Sequence, residues 1–113
     1  MAELPLENGE TVIDTWFLNY LPSSGGRYAG KLAVSDQSVY FTAQFEIKMQ
    51  HDAVQPIEGG LRFARRDIVR VEKQKKFWIF QRVLITLRDG SVHTFDRGAM
   101  SVEPILGALG GAR

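Results

Sequence analysis

Residues 26–45, GRYAGKLAVSDQSVYFTAQF, contain two alternating apolar series that are separated by one turn signal. The two series are Tyr28, Gly30, Leu32 and Val34, then Val39, Phe41, Ala43 and Phe45. A period of two over this length predicts half-buried strands, and the short polar side chains at 35–38 favour a tight turn between them. We therefore expect an antiparallel hairpin with one solvated face. The residues expected on that face are Lys31, Ser35, Tyr40, Thr42 and Gln44.

Strand patterns continue on both sides of this hairpin. The β-branched and aromatic content of residues 11–21, TVIDTWFLNYL, favours a strand. Residues 46–60 are predicted to form a long connection, because they mix polar residues with proline and glycine. Asp89-Gly90 is a strong hairpin signal between the last two strands. The shorter alternating segments of the second half are 61–63, 68–72, 82–87 and 92–95.

The end of the chain changes from a period of two to helical spacing. Ser101 is a suitable N-cap, and Met100 and Ile105 stand at the positions of a hydrophobic staple. One apolar stripe at i, i+3, i+4 and i+7 consists of Val102, Ile105, Leu106 and Leu109. The sequence therefore predicts one short amphipathic helix that docks onto the strands and ends at Gly110-Gly111.

The composition is that of one ordered globular domain over residues 1–113, with 44% hydrophobic and 24% charged residues. Cysteine is absent, which excludes disulfide frameworks, thiolate zinc sites and cysteine nucleophiles. No apolar run is long enough for a membrane-spanning helix, and the acidic N-terminus lacks the basic and then apolar pattern of a signal peptide. We therefore expect a cytoplasmic protein.

Charge is distributed unevenly, although the net charge is only +1. Residues 1–60 contain three basic and eight acidic residues, whereas residues 61–88 contain nine basic residues against Asp67 and Glu72. A basic block on a nearly neutral protein creates a local positive field that draws anionic partners, and a merely solvated face is the alternative. The acidic first half argues against a nucleic acid partner.

Few residues of this chain are suited to catalysis or to holding a cofactor. Ser91, His93 and Asp96 are the residue types of a nucleophilic triad, but no pattern places the serine on a sharp turn. We therefore expect His93 to be a surface or rim histidine. Two histidines without cysteine argue against a zinc site, and the three Gly-Gly pairs do not match dinucleotide or P-loop spacing. No enzyme activity, metal or cofactor is expected.

The order of elements, about seven antiparallel strands followed by one helix, resembles the pleckstrin-homology-like superfamily and, within it, the GRAM domains. The motifs that resemble that branch are Gly30-Lys31-Leu32-Ala33-Val34-Ser35 with Val39-Tyr40-Phe41, then Asp67-Ile68-Val69-Arg70-Val71-Glu72-Lys73, and last Val83-Leu84-Ile85-Thr86 with Asp89-Gly90 and His93-Thr94-Phe95. The likeness covers roughly residues 10–110. It implies a mostly β, partly open antiparallel barrel with its open end capped by the C-terminal helix. It also implies a module that binds membranes or proteins and performs no chemistry.

One feature of the pleckstrin-homology pattern is absent from this sequence. Domains of that family that grip phosphoinositides place a basic residue late in the first strand and more on the second. Here the first strand ends Asn19-Tyr20-Leu21, and only Arg27 and Lys31 follow. The resemblance therefore does not imply a high-affinity inositol phosphate pocket.

The segment with the strongest chemical character is residues 73–82, KQKKFWIFQR. The cations predicted to bind anionic lipid headgroups are Lys73, Lys75, Lys76 and Arg82. The aromatic residues predicted to enter the membrane interface or contact a partner are Phe77, Trp78 and Phe80. The predicted function is peripheral association with anionic membranes.

Two alternatives to the membrane hypothesis remain open for this segment. In the first, Phe77 or Ile79 fills the barrel core together with Phe80, and the lysines keep a sheet edge soluble. In the second, the aromatic segment or a sheet edge binds another protein or a second copy of the chain, since a contiguous apolar patch on a soluble domain is usually covered.

Overall fold

The computed structural model describes residues 4–22, 25–43, 53–57, 59–77 and 79–110. These residues contain eight β-strands, one turn of 3-10 helix at Arg65–Asp67, and one α-helix, α1 (Glu103–Ala108). The strands are β1 (Val12–Leu21), β2 (Tyr28–Ser35), β3 (Ser38–Ala43), β4 (Gln55–Ile57), β5 (Gly60–Ala64), β6 (Ile68–Lys76), β7 (Phe80–Leu87) and β8 (Val92–Asp96). The prediction of a mostly β fold followed by one short helix is therefore confirmed.

All eight strands form one antiparallel sheet in the order β4-β5-β3-β2-β1-β8-β7-β6. Within the described residues the sheet does not close, and β4 and β6 form its edges. Strand β4 falls inside the connection predicted for 46–60, so that prediction is wrong at residues 55–57. Its three residues are too few to alternate, and Pro56 is tolerated because an edge strand does not need every N–H.

The predicted hairpin of residues 26–45 forms as β2 and β3. Leu32 lies opposite Phe41, and Val34 lies opposite Val39 next to the turn. Ser35 closes that turn, since its Oγ accepts the backbone N–H of Gln37 at 3.1 Å and of Ser38 at 2.8 Å. Short polar side chains thus have the role in the turn that the sequence predicts.

The solvated face predicted for this hairpin is wrong. Ser35, Tyr40 and Thr42 are buried, Lys31 is half-buried, and Gln44 lies outside the described residues. Alternation predicts that a strand has two faces, but it does not predict what packs against the second one. Residues 7–10, which precede β1, cover this outer face near the turn, where Glu10 contacts Ser35 and Tyr40.

The Glu10 carboxylate anchors residues 7–10 to the outer face. It accepts hydrogen bonds from Tyr40 Oη at 2.7 Å, from Ser35 Oγ, and from the backbone N–H of Glu7 at 2.8 Å. Burial acts to raise the pKa of Glu10, but these hydrogen bonds and the charge of Arg62 together hold that pKa below its ordinary value. Burial and the hydrogen bond to Glu10 raise the pKa of Tyr40 to about 12. The folded state therefore contains an ionised Glu10 and a neutral Tyr40.

The inner face of the sheet holds the hydrophobic core, and α1 contributes to it. The stripe predicted for the helix is buried within the core at all four positions: Val102, Ile105, Leu106 and Leu109. Ser101 Oγ accepts the backbone N–H of Glu103 at 3.2 Å, although the helix begins one residue later than an N-cap at Ser101 predicts. The predicted staple is wrong, because Met100 is exposed.

Candidate functional site

Strands β6 and β7 form a long hairpin, and Phe77 and Ile79 lie at its tip. The strands pair from Ile68 opposite Leu87 as far as Lys76 opposite Phe80. Residues 73–76 thus continue β6 beyond the alternating segment predicted at 68–72. Phe77 has a φ of 52° and is the one non-glycine residue with positive φ among those described. This left-handed conformation is uncommon for a bulky residue, and it lies where the chain reverses.

The described residues of the aromatic segment predicted at 77–80 lie at this tip and are solvent-exposed. Phe77 is 75% exposed, Ile79 58% and Phe80 39%. The alternative in which Phe77 or Ile79 fills the core with Phe80 is therefore wrong. Trp78 lies outside the described residues. The Phe77 and Phe80 rings pack edge to face, with centroids 6.5 Å apart, so they form one small apolar cluster in water.

The four predicted headgroup ligands divide into two pairs. Lys73 Nζ lies 2.5 Å from Glu103 Oε1 of α1, and Arg82 Nε lies 3.0 Å from Asp96 Oδ2 of β8. Lys75 and Lys76 are exposed next to the tip and form no ion pair with a described residue. Lys76 Nζ is 5.7 Å from the centroid of the Phe77 ring. The hairpin tip thus combines exposed aromatic rings with two exposed cations, while Lys73 and Arg82 tie the hairpin to the rest of the domain.

A cleft of about 420 Å³ opens beside the tip. Its lining comes from β1, the loop before β2, the hairpin and the end of β8: Asn19, Arg27, Lys76, Phe77, Phe80, Arg82, Asp96 and Gly98. Sequence reasoning did not assign Asn19 and Asp96 to a site, because they are far apart in the chain. The pairing of β1 with β8 places them opposite one another, and the pairing of β7 with β8 places Arg82 opposite Asp96.

His93 is a buried core residue, so its prediction as a surface or rim histidine is wrong. It is 1% exposed and has the rings of Tyr20 and Phe63 as neighbours, with centroid distances of 5.9 and 5.5 Å. Tyr20 Oη is 2.7 Å from Nδ1, and Ser91 Oγ is 2.9 Å from Nε2. Burial raises the pKa of Tyr20. The local sequence does not predict these contacts, because Tyr20 and Phe63 lie far from His93 in the chain.

Ser91 forms hydrogen bonds with both Asp89 and His93. Ser91 Oγ donates to Asp89 Oδ1 at 2.6 Å, so it accepts from His93 Nε2. The third residue of the discounted triad, Asp96, pairs with Arg82. Among the described residues, no group of three or more histidine, aspartate or glutamate side chains is arranged to hold a metal ion.

Comparisons with known proteins show that the fold occurs in another protein, and they give no information about activity. No family model matches the chain, and no curated protein matches it. The structure is similar to the crystal structure of the C-terminal domain of an unknown protein from Leishmania infantum, with a TM-score of 0.66 and 10% sequence identity. The match covers 90% of this chain and 86% of that one. Identity at this level shows a shared fold alone. Among the described residues, no helix has the length and apolar character needed to cross a bilayer.

Proposed function

We propose that this protein is a non-catalytic binding module that associates peripherally with anionic membranes through the tip of the β6–β7 hairpin. The observation that carries the proposal is the exposure of Phe77, Ile79 and Phe80 beside Lys75 and Lys76. Aromatic and aliphatic side chains at a projecting tip can enter the bilayer interface, where lysines meet anionic headgroups. Each basic residue near such a surface contributes about 1 kcal/mol to binding.

We also propose that the domain is pleckstrin-homology-like, of the GRAM type. Three features support this interpretation: the antiparallel sheet in which neighbouring strands of the chain pair as hairpins, the open edges, and the helix whose apolar stripe packs into the core. The sheet has one strand more than the seven expected, because the short edge strand β4 is added beside β5. The proposal for the hairpin tip does not depend on this family assignment, since it rests on exposure and charge.

Vesicle sedimentation across a salt series tests the membrane proposal. Wild-type protein should bind vesicles of phosphatidylcholine mixed with phosphatidylserine and should leave vesicles of phosphatidylcholine alone largely unbound. Binding should weaken as salt is raised, because salt screens the exposed lysines. F77S and the double variant K75Q/K76Q should each bind less. R66Q is the matched control, because Arg66 is an exposed cation at the opposite end of β6. Equal and negligible binding to both vesicle types would reject the proposal.

The alternative function is protein interaction or self-association through the aromatic tip or a sheet edge. The nine-residue edge strand β6 favours this candidate, since no described strand pairs with its outer side. Two features of β6 oppose such pairing: its three lysines and the register shift between Ile68 and Arg70. Light scattering over a concentration series tests the self-association part. A monomer at all concentrations, for both wild type and F77S, would exclude a homo-oligomer.

A further inference from the structure

Strand β1 carries the most exposed large apolar side chain among the described residues. Phe17 is 77% exposed, while its neighbours Trp16 and Leu18 are buried in the core. The backbone on both sides of Phe17 is held by pairing with β2, in which Phe17 lies opposite Lys31 and Asn19 lies opposite Ala29. Its exposure is therefore a fixed feature of the sheet rather than the fraying of a strand end.

Phe17 belongs to the face of the sheet on which the cleft opens. Alternation places Phe17 and Asn19 on the same face of β1, about 7 Å apart along the strand. Asn19 lines the cleft together with Phe77 and Phe80 of the hairpin. The surface that carries the hairpin aromatics thus continues across the cleft to a second exposed aromatic ring.

Cations accompany Phe17 as they accompany the hairpin tip. Lys31 lies directly opposite Phe17 on β2, and Arg27 lines the cleft together with Asn19. Neither cation forms an ion pair with a described residue. An aromatic ring beside unpaired basic side chains is complementary to an anionic bilayer interface, where the ring enters the apolar boundary and the cations meet headgroups.

We propose that Phe17 and Lys31 form a second membrane contact, so that the outer face of β1 and the hairpin tip rest together on an anionic bilayer. This inference rests on the proposed function and adds an orientation to it. A single contact at the tip leaves the domain free to tilt, whereas two contacts on one face fix its orientation. The second contact forms at a high effective concentration once the first is in place, so each contact strengthens the other.

Sedimentation with mixed phosphatidylcholine and phosphatidylserine vesicles tests the Phe17 contact and the hairpin-tip function with different variants. F17A should lower the partition coefficient about three- to tenfold, as expected when part of a phenylalanine side chain leaves water on binding. The control V69A changes an exposed apolar residue at the far end of β6 and should leave binding unchanged. If F77A weakens binding and F17A does not, the second contact is rejected and the hairpin function stands. If neither variant weakens binding, the function itself is rejected.

A labelling experiment tests the contact directly and uses the absence of native cysteine. F17C, F77C and V69C would each carry one nitrobenzoxadiazole label, whose emission rises and shifts to the blue in an apolar environment. Anionic vesicles should produce this change at positions 17 and 77 and not at 69. A change at position 77 without one at position 17 would overturn the inference, because the label at 17 would then remain in water on the bound protein.

Discussion

The outer face of the sheet has a covered half and a bare half. Over β2, β3 and β5, residues 7–10 cover polar side chains, and Ser35 and Tyr40 both bond to the Glu10 carboxylate. On β1 and at the β6–β7 tip, Phe17 and Phe77 remain exposed. Polar groups are thus buried on one half and aromatic rings are solvated on the other, which is the reverse of the order that hydrophobicity alone predicts.

At Ser35 and Tyr40, burial on the outer face follows hydrogen bonding and not side-chain polarity. Ser35 and Tyr40 tolerate burial because each has a hydrogen-bond partner there. The aromatic rings of the bare half keep apolar surface in water, and burying one such side chain is worth about 1.5–3 kcal/mol. Folding does not bury these rings, so a binding partner that covers them would gain this free energy of burial.

Among substitutions in the three regions, the largest loss of stability is expected on the inner face of the sheet. It is the reference against which losses on the outer face are compared. Leu106→Ala should lower the free energy of unfolding by about 2–5 kcal/mol, because it leaves a cavity where α1 packs into the core. Denaturant melts measure the change. A Leu106→Ala protein as stable as wild type would mean that α1 does not contribute to the core, and the pleckstrin-homology-like proposal would then have to be abandoned.

A smaller loss is expected on the covered half of the outer face. Glu10→Ala should destabilise the protein by about 1–3 kcal/mol, because it leaves the buried Tyr40 hydroxyl without its acceptor and leaves Ser35 Oγ with the Ser38 carbonyl alone. Glu7→Ala is the matched control: it removes an exposed carboxylate that pairs with Arg62 and should cost less than about 1 kcal/mol. Equal losses of stability for the two variants would show that the buried hydrogen bonds of Glu10 contribute no more than an exposed ion pair.

The same network should make stability depend on pH in the acid range. Because the pKa of Glu10 is lower in the folded state than its ordinary value of 4.5, its contribution is complete above that value. The contribution is lost as the pH falls through the folded pKa, since protons then bind the unfolded state first. Unfolding measured between neutral pH and strongly acid pH should therefore show a steeper loss for wild type than for E10Q. Parallel curves would contradict this assignment.

The smallest effects on stability are expected on the bare half. Phe17→Ala and Phe77→Ala should each change the free energy of unfolding by no more than about 0.5 kcal/mol, because both side chains are already solvated. Thermal or denaturant melts test this, and they also serve as folding controls for the vesicle experiments. A loss of about 2 kcal/mol or more for either variant would place that ring in the core and break the comparison.

The local sequence determined most of the elements of this protein. β-Branched and aromatic content located β1, and alternation located the β2–β3 hairpin and the strands of the second half. Asp89-Gly90 located the β7–β8 turn, where Gly90 has a φ of 85°. The stripe of α1 and the apolar, basic composition of the hairpin tip were also readable. These features depend on backbone geometry and on residues close together in the chain, so a short window of sequence is sufficient to predict them.

Only the tertiary structure decided which faces are covered. Glu10 reaches Tyr40 across 30 residues, and the cleft joins Asn19 to a hairpin more than fifty residues later in the chain. The exposure of Phe17 and the burial of His93 could not be predicted from local sequence either. Neither residue differs in its local pattern from an ordinary strand residue. The physical reason is that alternation gives every strand two faces, while the partner of the second face comes from distant parts of the chain that local periodicity does not specify.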